Sequence, residues 1–86
     1  MKNHWQMYYS RAVADYLIQL GDAGRDLRRI VALLAEYGVP ANAVVDEGDM
    51  PATYTWAAAE HWITCVVVEE EQAIYVGNVR PVEKGD

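Results

Sequence analysis

"WAAAEHW" (residues 56–62) decides the fold of this chain. Its alanines and glutamate favour a helix by intrinsic propensity. The flanks favour the opposite. Thr53-Tyr54-Thr55 comes before it and "WITCVVV" (62–68) overlaps and follows it, both rich in the β-branched and aromatic residues that suit strands. Alanine's helical advantage is about a few tenths of a kcal/mol per residue, and strand pairing with burial outweighs it. Residues 56–62 therefore read as the end of one strand, a tight turn near Glu60-His61 and the start of the next.

Working outward, Tyr54, Trp56 and Ala58 alternate with Thr53, Thr55 and Ala57, which divides them between two faces of a strand. "WITCVVV" is apolar at both parities, the pattern of a central strand covered on both sides. "EEEQ" (69–72) makes the next turn and "AIYVGNV" (73–79) the last strand. Upstream, "HWQMYYS" (4–10) alternates with Trp5, Met7 and Tyr9 on one face, and Ser10 stands where a helix N-cap belongs. Val13, Tyr16/Leu17 and Leu20 recur at helical spacing until Gly21, after which Asp22 is placed to cap a second helix. From Arg25, the positions Leu27, Ile30/Val31, Leu33/Leu34 and Tyr37 define its apolar face, with Arg25, Arg29 and Glu36 opposite. Gly38 and Pro40 end it. "PANAVVDEGDMP" (40–51) shows no periodicity and reads as a loop. The order β-α-α-β-β-β predicts an α+β fold: an antiparallel sheet with two helices packed on one face, as a single domain over residues 1–86.

A chain of 86 residues supports one modest core. Its one cysteine, Cys65, leaves no intramolecular disulfide to form and fits a reducing cytoplasm. No apolar run reaches the roughly 18–20 residues of a membrane span, and "MKNHWQMYYSR" carries no apolar signal segment. A cytoplasmic protein with no membrane contact is expected. Charge is uneven: residues 1–45 carry a net +1 and residues 46–86 a net −7, for −6 in all. An acidic surface repels phosphate backbones and favours basic partners.

The residues and their order resemble the RelE/ParE superfamily of bacterial toxin–antitoxin toxins. "WQMYYSRAVADYLIQL" looks like that family's first strand and helix, "MPATYTW" like the start of its next strand, and "HWITCVVVEEEQAIYVGNVRPVE" like its last two strands and their turn. The resemblance spans about residues 4–83. It implies a sheet face left open for RNA, ligand or protein. In the ribonuclease branch, cations on that face stabilise charge on the scissile phosphate. Here the positions corresponding to those cations hold Thr55, Ala57 and Ile63, and only Arg80, with Lys84 beyond it, keeps a positive charge near the end of the sheet. The loop that is often basic in the family reads "DEGD" (46–49). A nuclease site is therefore not expected.

Three functions compete. The first is a toxin-fold protein that acts by protein binding, as the ParE branch does on DNA gyrase. Its partner would be an antitoxin-like protein, a target protein or a second copy. Thr55, Ala57 and Ile63 would form the contact face, with His61 and Arg80 at its rim. The second is a ribosome-dependent mRNA interferase with a relocated site built from Arg80, His61, Tyr54 and Arg29. The third is an acidic charge mimic, which needs carboxylates gathered on one face. Arg25, Arg28 and Arg29 form a cationic patch, either a solvated helix face or a dock for an acidic partner. His4 and His61 stand in no metal-ligand spacing, and one Cys with two distant His makes no zinc motif. Neither metal nor cofactor is implied. Cys65, inside an apolar run, reads as a core residue. Trp5, Trp56 and Trp62 read as core or sheet-face residues, an exposed one being a candidate contact.

Overall fold

The computed structural model describes residues 4–46, 48 and 52–83. The elements run β1 (Gln6–Tyr9), α1 (Arg11–Leu20), α2 (Arg25–Tyr37), β2 (Val44–Asp46), β3 (Thr53–Ala58), β4 (His61–Val68) and β5 (Ala73–Pro81). They form a five-stranded sheet in the order β1-β5-β4-β3-β2.

Ser10 caps α1 as its sequence position requires. Its Oγ accepts from the Val13 N–H at 3.2 Å and donates to the Gly77 carbonyl at 3.2 Å, so the cap also ties the helix to β5. Caps of this type contribute about 1 kcal/mol. The entry to α2 differs from expectation. Gly21–Gly24 forms a 3-10 turn, and the α2 N-cap is Gly24 with no side-chain bond, so Asp22 does not cap the helix. A Cβ on Gly24 would stand 2.8 Å from the Leu20 Cβ, which explains a glycine where the two helices approach. On α2, Leu27, Val31 and Leu34 are buried, whereas Leu33 and Tyr37 lie outside the core. The inward stripe is narrower than the sequence pattern implied. Gly38 ends the helix at φ 73°, its N–H donating to Leu34, a left-handed position that glycine occupies without steric cost.

Two features of the sheet differ from the expected order of one strand, two helices and three antiparallel strands. Residues 40–51 are not all loop: Val44–Asp46 pairs antiparallel with β3. A strand of three residues has no periodicity to read, and it exists because the edge of β3 offers backbone groups to pair. β1 runs parallel to β5, joined to the sheet by way of both helices, so only β2 to β5 form the antiparallel part.

The core gathers Val13, Leu27, Val31 and Leu34 from the helices with Trp56, Ile63, Cys65, Ile74, Val76 and Val79 from the sheet. Gly77 is the extra residue of a bulge facing Thr64/Cys65 on β4. It lets both Val76 and Val79 point into the core where strict alternation would have sent one outward. The helices cover one face only. On β4, Ile63 and Cys65 are fully buried while Trp62 is 37 % exposed, so this strand is not covered on both sides as its composition suggested. No helix among the described residues is long and apolar enough to cross a membrane.

Candidate functional site

The β3–β4 hairpin fixes what each face of the sheet presents. Its two turn residues are Ala59 and Glu60, at φ 51° and 62°, one position earlier than the sequence suggested. Two-residue hairpins of this hand favour Asn-Gly. Left-handed backbone at a non-glycine residue costs about 1–2 kcal/mol. Donors hold both carbonyls of the turn: the Val82 N–H on Glu60 at 2.9 Å, and His61 Nδ1 on Ala59 at 2.8 Å.

This turn pairs Ala58 with His61, Ala57 with Trp62, Trp56 with Ile63 and Thr55 with Thr64. Residues directly opposite share a face. Thr55 and Ala57 therefore lie on the open face, as expected. Ile63 does not: it sits opposite Trp56, fully buried against the helices. Trp62 takes the open position. A one-residue slip in register exchanges the two faces of a strand, and the tight hairpin sets the register that places Ile63 inward.

His61 is also on the helix side and not at the rim of the open face. It hydrogen-bonds the Tyr16 hydroxyl of α1 through Nε2 at 2.7 Å. With Nδ1–H donating to the Ala59 carbonyl, Nε2 accepts from Tyr16. The pair is a clasp between α1 and the hairpin. Tyr54 packs toward the core, lining a hollow of about 400 Å³ with Trp5, Val39 and Val45. Arg29 is exposed on α2, and Arg80 lies on the open face opposite Trp62. The residues of a relocated nuclease are thus not brought together, because the sheet separates Arg80 from His61 and Tyr54. Arg28 is engaged, its Nη1 donating to the Leu17 carbonyl at 3.1 Å near the end of α1. Arg25 and Arg29 remain on the exposed helix surface.

The open face consists of transverse rows set by the strand registers. Ala57, Trp62 and Arg80 form one, and Val44, Thr55, Thr64 and Asn78 the next. The Thr55 and Thr64 hydroxyls are 3.3 Å apart. The third row runs Asp46, Thr53, Val66, Tyr75, Tyr8. Tyr8 and Tyr75 stack with ring centroids 4.8 Å apart, and the Tyr75 hydroxyl donates to Glu71 at 2.9 Å. That bond to a carboxylate, with burial and the nearby negative charge, raises the Tyr75 phenol above its ordinary value. Val44 is 73 % exposed, Tyr8 44 % and Tyr75 38 %. Tyr8, Tyr75, Val44 and Thr64 did not stand out in the sequence, since their shared face depends on pairings between distant segments.

Carboxylates sit at both ends of the sheet, Glu69–Glu71 at the β4–β5 turn and Glu60 at the β3–β4 turn. Among the described residues the carboxylates are not gathered on one face as a charge mimic requires. Glu47, Asp49, Met50, Pro51 and Lys84 lie outside the described residues. A separate apolar groove of about 480 Å³ lies between α2 and β3, lined by Ile30, Leu33, Tyr37, Pro40, Trp56 and Ala58 among others. Among the described residues, no group of three or more His, Cys, Asp or Glu is placed to hold a metal.

Cys65 is fully buried, and loss of hydration pushes its thiol from an ordinary value of 9.0 up to about 12. The thiolate is the reactive form, so Cys65 should resist alkylation by iodoacetamide at pH 8 in the native protein and react fully in urea. Between pH 9 and about 12 the unfolded thiol is ionised and the folded one is not, so folding stability should fall as pH rises through that window. A Cys65→Ala variant should lack this part of the alkaline decline in urea titrations. Rapid native alkylation would contradict the burial.

No protein-family model and no curated protein matches the sequence. Solved structures do match the fold. The chain is similar to a chain of the archaeal RelE–RelB complex from Pyrococcus horikoshii OT3, with a TM-score of 0.79 and 15 % identity over 95 % of this chain and 99 % of that one. It is similar to the isolated E. coli RelE toxin, with a TM-score of 0.68 and 17 % identity over 95 % and 88 % of the two chains. An arginine-to-alanine mutant of E. coli RelE in the free state matches with a TM-score of 0.67 and 18 % identity over 93 % and 85 %. Helices on one face, a meander of four strands and a parallel first strand at the edge together give this chain the RelE-like toxin fold.

Proposed function

We propose that this chain uses the RelE-like fold to bind a protein through the open face of its sheet, without cleaving RNA. One observation carries this reading. Among the described strand residues of that face Arg80 is the single cation, and Thr55, Ala57 and Trp62 occupy the centre. Cleavage of a phosphodiester relies on charge placed at the developing oxyanion, where one donor contributes about 3–4 kcal/mol. A face with one cation offers contact area instead, and exposed apolar surface on a sheet marks an interaction site. The RelE-related chain from Pyrococcus horikoshii was solved in complex with RelB, which makes an antitoxin-like protein the favoured class of partner. The relocated interferase has less support, since Arg80 faces away from Tyr54 and His61.

The test is a translation reaction with purified protein, read by primer extension. No site-specific cuts in the messenger are expected. Cuts that disappear with Arg80→Ala would overturn the proposal. Bare RNA should bind more weakly than micromolar at about 150 mM salt, because phosphate contacts supply most non-specific affinity and a net charge of −6 opposes them.

A further inference from the structure

We infer that the open sheet face docks a cationic, partly apolar segment of the partner, seated along the row Asp46, Thr53, Val66, Tyr75, Tyr8. This rests on the protein-binding reading and specifies the chemistry of what is bound. Charge complementarity selects the occupant. At this row the charged side chains among the described residues are two carboxylates, Asp46 on β2 and Glu71 beside Tyr75, while Arg80 lies two rows away. A second copy would bring the same two carboxylates to this row and be repelled there.

The row itself has an apolar and aromatic centre flanked by carboxylates. Val66, Tyr75 and Tyr8 stand side by side, the two tyrosine rings stacked and exposed. At the β2 edge the row ends on Asp46, exposed and fixed in place by the Gly48 N–H on its Oδ1 at 3.0 Å. At the other side Glu71 accepts from the Tyr75 hydroxyl, which anchors a second carboxylate beside the rings. Three strand spacings separate Asp46 from Tyr75 in this order, about 14 Å. An extended segment covers that distance in about four residues. Two arginines or lysines four residues apart would meet Asp46 and Glu71, with an apolar residue between them over Val66. The tyrosine faces add attraction for a cation near Glu71.

The experiment uses the full chain and two labelled twelve-residue peptides of leucine and serine. One carries arginine at positions 4 and 8, and the other carries glutamate there. Anisotropy should show the arginine peptide binding at least tenfold more tightly than the glutamate peptide at 150 mM salt. Glu71→Gln and Asp46→Asn should each weaken it about fivefold with unchanged thermal unfolding, and amide shifts should map to Tyr8, Thr53, Val66 and Tyr75. Binding of neither peptide, or equal binding of both, overturns the inference. Preferential binding of the glutamate peptide, with shifts at Arg25 and Arg29, also overturns it but leaves protein binding standing. RNA cleavage in the translation reaction would remove the protein-binding reading beneath it.

Discussion

Ile63→Lys should abolish folding, whereas Ala57→Lys should leave the fold and its stability nearly unchanged. Both substitutions place a cation at a position where the resemblance to RelE-type toxins implies one. The sheet register separates them, with Ile63 fully buried among core side chains and Ala57 exposed on the open face. An ammonium without a partner in a dry core costs several kcal/mol, against a total stability of about 5–15 kcal/mol for a native protein. An exposed substitution away from special features shifts stability by about 0.5 kcal/mol or less. Urea unfolding followed by circular dichroism checks both, with Ile63→Val as a control expected to lose about 0.5–1.5 kcal/mol. A stable, cooperatively folded Ile63→Lys would mean that the hairpin register is wrong.

Trp56→Ala should cost about 3–5 kcal/mol, the range for truncating a large buried aromatic. Trp56 lies opposite Ile63 in the core at 4 % exposure. Trp62, six residues on, is on the other face beside Ala57 and Arg80. Its truncation removes cross-strand contacts contributing about 1 kcal/mol or less, so stability should barely change. If the open face is a docking surface, Trp62→Ala should instead weaken partner binding, because exposed tryptophans often carry much of the energy of an interface. Equal stability losses for the two variants would show that both tryptophans are structural.

The local elements were largely legible in the sequence because short-range chemistry specifies them. Ser10 announces its helix by offering an oxygen to the Val13 N–H, and Gly38 ends another by tolerating a positive φ. "WAAAEHW" resolves into strand, turn and strand because β-branched flanks outweigh a weak alanine preference. The scarcity of cations on the open face was also partly visible, since Thr55 and Ala57 are there by simple alternation.

What the sequence alone determined is therefore the α+β class, the order of its main elements and the scarcity of cations on one sheet face. Tertiary structure decided the rest. Val44–Asp46 becomes a strand only because β3 presents an edge to it. Gly77 shifts the alternation of β5 through a bulge that is defined only against β4. The fate of Ile63 and His61 turned on a single residue of register, set when Ala59 and Glu60 adopt left-handed conformations that their side chains do not announce. The row of Asp46, Thr53, Val66, Tyr75 and Tyr8 draws on five strands. No local pattern encodes it, because neighbours on a sheet face are chosen by hydrogen-bonded pairing between segments far apart in the chain.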